Sequence, residues 1–291
     1  MEAHCIIVSY RPDVARLRGL CSRAALDGAR VIVVDNSETR TLEADALPDG
    51  CSLISLGYNS GIAHAQNVGI AAALAAGARV LVFFDQDSKI EPGFLKALAA
   101  SLTEGTAEIV APLCVDEATN MPLPAERLGR WGWPVAIHEA DADARYSADI
   151  VIASGTAATR EVFERAGTLD EDFFIDFVDA EWCLRCRAQQ VPIYVVPAVV
   201  MRHSIGSRHV KFGPFHVSVH SPERCYYQVR NCLLLFRKRH IPFNYALKQL
   251  AATLFSRALL LFVVNGRASY LKSYLFAVRD GLKGVRGARP A

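Results

Sequence analysis

The sequence predicts an α/β protein built on a mostly parallel sheet, and two features of its first half lead to that prediction. Short apolar runs alternate with Ala-rich stretches of helical periodicity. The apolar runs are nearly continuous, which is typical of parallel strands that helices cover on both faces. At 291 residues, the chain is long enough for one large domain of this class, or for one domain with an appendage.

The predicted elements follow one another in a regular order. Strands are predicted at 4–9, 30–35, 51–56 and 80–84, and helices at 13–26, 62–76 and 93–103. Segment 116–148 contains Pro122, Pro124 and a Trp-Gly-Trp sequence, and we expect a loop-rich insertion there. Strand-like sequence resumes at 149–153 and again at 193–197.

Acidic and basic residues are distributed unevenly. Residues 1–200 contain 16 Lys and Arg against 28 Asp and Glu, a net charge of −12, whereas 201–291 contain 16 Lys and Arg and two acids, a net charge of +14. The last third is therefore suited to phosphate groups, nucleic acid or an acidic membrane surface. Nucleic acid is the least favoured partner, because these basic residues are interleaved with a Leu-rich helix rather than with stacking aromatics.

One helix of this basic region is predicted to be amphipathic. Helical spacing over 245–257 separates a polar half from an apolar half, with Lys248, Gln249, Thr253, Ser256 and Arg257 opposite Leu247, Leu250, Leu254 and Phe255. Only nine residues separate Arg257 from Arg267, fewer than the ~20 that a membrane span needs. Packing on the core and contact with a membrane surface both account for this helix, and the flanking basic residues favour the membrane.

The cysteines indicate a reducing compartment. There are eight at irregular spacing, and we find no signal peptide, so we expect a cytoplasmic protein. Cys183 and Cys186 form a lone CxxC pair. Since no second pair completes a four-ligand zinc site, two ordinary helix cysteines are favoured.

The fourth predicted strand ends in two carboxylates, Asp85 and Asp87. Burying an unpaired carboxylate is costly, so acids in this position usually meet a cation, and a divalent metal is the first candidate. The two side chains point to the same side, at the edge of the sheet where ligands bind in open α/β folds. A solvated surface turn is the alternative.

The other strands of this half also end in polar residues. In chain order the strand ends contribute Ser9, Tyr10 and Arg11, then Asp35 and Asn36, then Asn59, Gly61, Asn67 and Gly69, then Asp85, Gln86 and Asp87. Such a series would meet the needs of a nucleotide diphosphate. It offers a pocket for the base, a carboxylate for the ribose, a glycine-containing helix start that the ligand is able to approach closely, and ligands for a metal. Helix capping by Asn59 or Ser60, with glycines that only ease packing, is the alternative.

The same segments, in the same order, resemble the family 2 glycosyltransferases, inverting sugar-nucleotide enzymes of the GT-A fold. The matching segments are IIVSYR, VVDN, YNSGIAHAQNVG and FFDQD. Two later segments, at 173–185 and 220–231, resemble the bacterial rhamnosyltransferases within the family. The middle residue Gln86 departs from the small or acidic residue that is more frequent in the family.

The resemblance implies a domain organisation. A GT-A nucleotide-diphospho-sugar transferase domain would occupy 1–235, with a Rossmann-like nucleotide-binding half at 1–115 and an acceptor half at 116–235. A basic amphipathic helical region would follow at 236–291.

The resemblance also implies a catalytic base. Inverting transfer is a single displacement at the anomeric carbon, which requires a base for the acceptor hydroxyl and neutralisation of the departing diphosphate. Asp179 matches the family's base position, with Asp176 and Glu181 as neighbouring acids. The same three acids would serve the dipole of a helix's first turn, which is the alternative.

Further roles follow from the resemblance. Asp87 matches the metal ligand, and Asp85 would reach the metal or the ribose. His203 matches a histidine that completes the metal or diphosphate site in related enzymes; otherwise it is a hydrogen-bonded loop residue. Mg²⁺ or Mn²⁺ is the expected ion, and histidine suits manganese better. Arg230 and Asn231 would contact the diphosphate or the acceptor, with Arg224 a weaker candidate.

The expected function is metal-dependent, inverting transfer of L-rhamnose from dTDP-L-rhamnose to a surface polysaccharide or lipid-linked oligosaccharide. The enzyme would act as a peripheral protein at the inner face of the cytoplasmic membrane. One alternative uses a UDP-hexose or galactofuranose donor. Another is a non-catalytic nucleotide-sugar or polysaccharide-binding component of an assembly complex. The presence of both Asp87 and Asp179 argues against it, because a pure binder has little need for a base.

Overall fold

The computed structural model describes residues 3–39, 42–117, 120–137, 139, 144–203, 208–212 and 215–290. Between 203 and 216 it describes the backbone of the strands and not the side chains. The strands are β1 (Ala3–Ser9), β2 (Arg30–Asp35), β3 (Cys51–Ser55), β4 (Val80–Asp85), β5 (Ile109–Asp116), β6 (Glu126–Leu128), β7 (Pro134–Ala136), β8 (Tyr146–Ala148), β9 (Ala157–Thr159), β10 (Ile193–His203), β11 (Arg208–Phe212) and β12 (Phe215–Val219). The helices are α1 (Val14–Leu26), α2 (Ile62–Ala75), α3 (Phe94–Ala100), α4 (Arg160–Ala166), α5 (Val178–Ala188), α6 (Pro222–Leu235), α7 (Phe243–Val263) and α8 (Arg267–Lys283).

Eight strands form the central sheet, in the order β3-β2-β1-β4-β9-β5-β10-β8. The first four strands pair in parallel, and β10 runs parallel to β5. The short strand β9 lies antiparallel between β4 and β5, and β8 is antiparallel at one edge. The predicted α/β class with a mostly parallel sheet is confirmed.

Side chains of β1 alternate between two core layers. Ile6 and Val8 lie in the layer that contains the buried faces of α2 and α5, whereas Cys5 and Ile7 lie in the layer of α1 and α3. All seven residues of β1 are buried. Burial of a large aliphatic side chain contributes about 1.5–3 kcal/mol, which is why the centre of this strand, 5–8, is apolar.

Local sequence signals account for the starts of several helices. The Asp13 side chain caps α1 by accepting hydrogen bonds from two backbone N–H groups of its first turn. Ser221 caps α6, and Pro222 occupies the first helical position, where its missing N–H costs nothing. The helices therefore begin within a residue or two of the positions that these signals indicate.

Helix α2 packs directly on β1 because Gly69 has no side chain. A Cβ atom at this position would lie 2.4 Å from Cγ2 of Ile6 and 3.3 Å from Cγ2 of Val34. Gly69 therefore serves helix–strand packing, which is the simpler of the two interpretations that the sequence allowed.

The strand predicted at 149–153 is wrong. Strands β8 and β9 flank this segment, in which Ile150 makes an isolated bridge to Glu126. The carboxylate of Asp149 accepts hydrogen bonds from the Leu128 backbone N–H at 2.6 Å and from Arg187 Nε at 2.8 Å. These side-chain bonds take the place of a strand ladder, because the chain must turn here.

Two other segments carry more strand than expected. The strand predicted at 193–197 continues to His203, and a register shift between Val196 and Val200 accommodates Pro197. The expected insertion at 116–148 contains the antiparallel pair β6–β7 as well as β8.

Helix α7 buries one charged residue of its polar half, Arg257, together with Tyr245, Ala246 and Leu260, whereas Lys248 of the same half is exposed. Arg257 is 6% exposed, whereas Leu254 and Phe255 on the apolar half are 44% and 51% exposed. In the described part of the chain, this helix alone has the length and apolar composition of a membrane span, with 21 residues and a mean hydropathy of 1.5 over its most apolar 18-residue stretch. Only 17% of that stretch is buried. The apolar half of α7 therefore does not pack on the core of this chain.

Candidate active site

A cleft of about 590 Å³ opens where β1, β2 and β4 end. Seven of the predicted site residues line it: Tyr10, Asn59, Gly61, Asp85, Gln86, Asp87 and Asp179. Its volume falls within the ~300–1,000 Å³ of typical ligand pockets. The carboxyl ends of these parallel strands thus meet at one ligand-sized cleft.

Gln86 joins two strand ends at the floor of the cleft. Its Oε1 accepts a hydrogen bond from the backbone N–H of Tyr10 at 2.7 Å, and its Nε2 donates to the Tyr10 carbonyl at 3.2 Å. The Tyr10 hydroxyl in turn donates to Glu38 at 2.8 Å. An amide is able to make both bonds with one backbone unit, which gives the unusual middle residue of the Asp-Gln-Asp motif a structural role.

Asn36, one of the predicted strand-end residues, shapes the start of α2. Its Oδ1 accepts from the backbone N–H and the hydroxyl of Ser60 at 2.7 and 2.8 Å. Its Nδ2 donates to Asn59 Oδ1 at 3.1 Å, and the same oxygen accepts from the Gly61 N–H. Asn36 lines the cleft, and its position after Asp35 at a strand end was the available signal.

Four of the expected ligand contacts do not line the cleft. Ser9 and Asp35 are buried, and the Ser9 hydroxyl donates to Asp35 Oδ1 at 3.3 Å. Arg11 points into solvent, where it lies 3.2 Å from Glu38. Asn67 exchanges two 2.9 Å hydrogen bonds with the backbone of Leu169. These side chains hold the loops that surround the cleft.

The wall opposite the strand ends is a strained loop. Phe174, Asp176 and Phe177 have φ angles of 61°, 64° and 66°. Side chains other than glycine rarely occupy this left-handed region, and each such residue costs about 1–3 kcal/mol. The surrounding structure must therefore hold the loop, and strain of this kind is concentrated at functional sites.

Arg230 and Asn231 provide that support. Asn231 Nδ2 lies 2.8, 2.7 and 3.0 Å from the carbonyl oxygens of Phe173, Ile175 and Asp176. Arg230 Nη2 reaches the carbonyl of Phe173 at 3.2 Å. Both side chains are 0% exposed and neither lines the cleft. The structure thus corrects their expected placement against the diphosphate or acceptor: their donors are used by the loop backbone.

Gly61 leaves room for the same strained loop to pack against the start of α2. The Ile62 N–H donates to the Phe174 carbonyl at 2.7 Å. A Cβ on Gly61 would lie 2.6 Å from Phe174 Cδ2, and its φ of 86° also disfavours any other residue. The Phe174 ring stacks on Tyr227 with centroids 4.6 Å apart. Gly61 therefore brings α2 and the strained loop together at the edge of the cleft.

The three acids of this region differ in their partners. Both oxygens of Asp176 accept from Arg224, at 2.9 and 3.1 Å. Glu181 is 1% exposed and is held by Arg185 through two 3.0 Å bonds, with His240 Nε2 at 2.8 Å.

Asp179 has no such basic partner within ion-pair distance in the described part of the chain. Its carboxylate accepts a 2.8 Å hydrogen bond from the Ala180 N–H. Burial raises the pKa of Asp179 to about 6, and the neighbouring carboxylates of Asp176 and Asp85 contribute in the same direction. Of the three acids, Asp179 is the one poised to take up a proton near neutral pH.

The expected metal ligands are only partly described. Asp85 and Asp87 both line the cleft, and the Asp85 N–H donates to Ser154 Oγ at 3.2 Å. The described residues contain no group of three or more His, Cys, Asp and Glu that is able to hold a metal. The backbone of His203 ends β10, but its side chain lies outside the described residues, so its expected role stays a prediction.

Ser154, which lines the cleft, carried no local signal in the sequence; it follows the segment predicted as a strand. His220 lies just before α6 and Arg224 lies in its first turn, both within the segment 220–231 that resembles the rhamnosyltransferases. Arg224, named only as a weaker candidate, is the one Arg or Lys among the described residues that line the cleft.

Known proteins match this chain in sequence. Residues 15–167 match the family model described as Glycosyl transferase family 2. Over 286 residues, the chain is 36% identical to the dTDP-rhamnosyl transferase RfbF of Shigella flexneri, an alignment that covers 98% of this chain and 96% of that protein.

Solved structures match the fold. TarS 1-349 of S. aureus in complex with UDP-GlcNAc has a TM-score of 0.58 at 15% identity, covering 98% of this chain and 82% of that chain. GalNAc-T7 with UDP, GalNAc and Mn²⁺ has a TM-score of 0.56 at 14% identity, covering 88% of this chain and 57% of that chain. These two likenesses establish the fold alone. The family match and the extent of the identity to RfbF show that the chain belongs to the family 2 glycosyl transferases and is a glycosyltransferase.

Proposed function

We propose that this enzyme transfers L-rhamnose from dTDP-L-rhamnose to a hydroxyl of a polysaccharide or lipid-linked oligosaccharide, with inversion and with Asp179 as general base. The observation that carries the mechanism is the position of Asp179 in the cleft without a basic partner among the described residues. The donor is supported by the identity to RfbF over 98% of the chain.

The transfer is a single displacement. The acceptor oxygen bonds to the anomeric carbon of rhamnose as the bond from that carbon to the diphosphate oxygen breaks. Asp179 accepts the proton of the acceptor hydroxyl, and dTDP leaves. A base is effective when its pKa lies near the working pH, and the raised pKa of Asp179, about 6, meets this condition.

Arg224 supports departure of the diphosphate. It is the one Arg or Lys of the described cleft lining, and its guanidinium is anchored on Asp176. Through this ion pair its charge is held in place before the donor binds, which is the arrangement that stabilises developing negative charge most effectively.

The cleft residues fit a divalent cation that is shared with the donor. Asp85 and Asp87 offer oxygen ligands, which suit Mg²⁺ and Mn²⁺. Two carboxylates do not form a closed protein site, but Mg²⁺ typically takes one or two carboxylates and completes its coordination with phosphate oxygens and water. The chemistry that the cation supplies when bound is neutralisation of the leaving diphosphate.

The outer surface of α7 and α8 supports a place on the membrane. Large apolar side chains there are well exposed: Phe243, Phe262, Leu275 and Leu282 are 66%, 64%, 73% and 66% exposed. They lie in the part of the chain with a net charge of +14. Apolar residues flanked by basic ones are typical of helices that lie on anionic lipid surfaces, so we place the enzyme at the inner face of the cytoplasmic membrane.

A comparison of donors tests the proposal. Release of the nucleoside diphosphate is measured with dTDP-L-rhamnose, a UDP-hexose and UDP-galactofuranose, with Mg²⁺ or Mn²⁺ present. We expect turnover with dTDP-L-rhamnose to exceed that with either UDP-sugar by at least ~10²-fold, since a missing or additional buried polar contact discriminates on this scale. Equal or faster turnover of a UDP-sugar would contradict the donor assignment and leave the transferase mechanism in place.

A further inference from the structure

A second cavity of about 410 Å³ adjoins the cleft. The two share Asp176, Phe177 and Asp179, so the carboxylate of Asp179 lies at their junction. The far wall of the second cavity belongs to the C-terminal helices. Its polar lining consists of Gln228 from α6 and of Gln249, Thr253, Ser256 and Arg257 from α7.

The polar half of α7 therefore faces this cavity. A helix that packs on a protein normally buries apolar residues. Helix α7 buries Tyr245, Ala246 and Leu260 in this way, but it also buries Arg257 and leaves Leu254 and Phe255 exposed. Buried polar groups cost free energy unless they are hydrogen-bonded, so a polar wall on the inner side of a helix needs partners. A polar ligand in the cavity would supply these partners.

Two buried polar atoms of the wall lack partners among the described residues. They are Gln228 Oε1 and Arg257 Nε. Arg257 is 6% exposed, and its remaining nitrogens bind uncharged groups: Nη1 lies 3.3 Å from Cys225 Sγ, and Nη2 lies 2.9 Å from Ser256 Oγ. No carboxylate of the described residues lies within ion-pair distance. A buried guanidinium held only by neutral groups is suited to an anionic ligand oxygen.

We propose that this cavity is the acceptor subsite, and that it binds a sugar bearing an anionic group, which Arg257 holds. The amides of Gln228 and Gln249 donate and accept at once, as sugar hydroxyls do. Asp179 lies at the junction with the donor cleft, where the accepting hydroxyl must meet the anomeric carbon. The inference rests on the proposed function, and adds the chemical class of the acceptor and the residues that select it.

The anionic group is either a phosphate that links the acceptor to a lipid or a carboxylate of an acidic sugar. Three short-chain probes separate these sources: an alkyl diphosphate-linked disaccharide, an alkyl disaccharide with a uronic acid, and a neutral alkyl disaccharide. Each is titrated by calorimetry into the enzyme with saturating dTDP and Mg²⁺, so that the donor cleft is filled. Binding of dTDP is measured first and reports separately on the donor site.

We expect the wild type to bind one anionic probe at least ~10-fold more tightly than the neutral probe, the scale of one charge-assisted hydrogen bond. Arg257→Gln should abolish this preference and leave dTDP binding unchanged. Arg165→Gln, at an exposed arginine of α4, is the matched control and should keep the preference. The anionic probe that is preferred identifies the source of the charge.

Equal binding of the three probes to the wild type, or a preference that survives Arg257→Gln, would overturn the inference. If Arg257→Gln fails to fold, Arg257→Lys replaces it: the charge is kept but the planar fork is lost, and the preference should fall by several-fold. A wild-type enzyme that does not bind dTDP would instead refute the proposed function.

Discussion

Arg224 donates to both carboxylate oxygens of Asp176, through Nη2 at 2.9 Å and Nε at 3.1 Å. A bidentate pair of this kind fixes the orientation of both side chains. Two acids therefore face the cleft from neighbouring positions with different tasks. Asp176 is bound to a cation of the protein, whereas Asp179 has none among the described residues and is available to a substrate hydroxyl.

The pH dependence of the reaction should report Asp179. Its folded pKa is raised to about 6, so the carboxylate is protonated below that pH and is unable to accept a proton. We expect kcat/KM to rise tenfold per pH unit at low pH and to level off above about 6, where Asp179 is ionised. The profile is measured under conditions in which dTDP binding is constant. A profile that is flat between pH 5 and 7 would contradict the assignment.

Asn231→Asp tests the support of the strained loop. The substitution keeps the shape of the side chain but directs a carboxylate oxygen at the carbonyls that the amide now satisfies. We expect a loss of about 2–4 kcal/mol in the free energy of unfolding, because the buried loop carbonyls lose their donor and face a carboxylate oxygen instead, although Arg230 pairs with the new charge. Urea denaturation measures it. Lys96→Ala, at an exposed residue of α3, is the control, with a change of at most ~0.5 kcal/mol. A similarly small change in Asn231→Asp would contradict the role.

The metal prediction is tested by Asp87→Ala and by EDTA. If Asp87 ligates the cation that neutralises the diphosphate, either treatment should lower turnover by at least ~10²-fold. Added Mn²⁺ should restore activity to the EDTA-treated wild type and not to Asp87→Ala. Full activity of the wild type in EDTA would exclude the metal from the reaction.

Membrane binding is tested by sedimentation with vesicles. The protein should sediment with anionic vesicles at low salt and be released as salt rises, since each exposed basic contact is worth about 1 kcal/mol and is screened. Replacement of Phe262 and Leu275 by Ser should reduce binding at least ~10-fold, because two exposed apolar side chains are lost. Leu26→Ser, at a 71% exposed leucine of α1, is the control and should leave vesicle binding unchanged. Equal binding to neutral and anionic vesicles would contradict the prediction that basic residues attract the protein to anionic lipid.

The parallel half of the sheet was predictable because its signals are local. The strand predicted at 30–35 coincides with β2, since its central residues, 31–34, are buried on both faces and are therefore apolar. The same rule marks strand ends by their first polar residues. Asp85, Gln86 and Asp87 thus came together with Tyr10 and Asn59 at one cleft.

The support of the strained loop was not predictable, because it depends on contacts between distant segments. Asn231 and Phe173 are 58 positions apart, and no sequence pattern near either residue predicts the hydrogen bond between them. The family resemblance implied ligand contacts for Arg230 and Asn231, whereas the carbonyls of the strained loop are their partners. For α7, periodicity predicted a helix with two unlike halves but not which half faces inward, since both orientations have the same period.

The central claim is that Asp179 is the base, and Asp179→Asn tests it most directly. Asparagine keeps the shape and hydrogen bonding of the side chain but does not accept the proton of the acceptor hydroxyl. We expect the affinity for dTDP-L-rhamnose, measured by calorimetry, to remain within about threefold of the wild type while the rate of transfer falls by roughly 10² to 10⁴. An Asp179→Asn enzyme that binds the donor and transfers the sugar at a near wild-type rate would contradict the account.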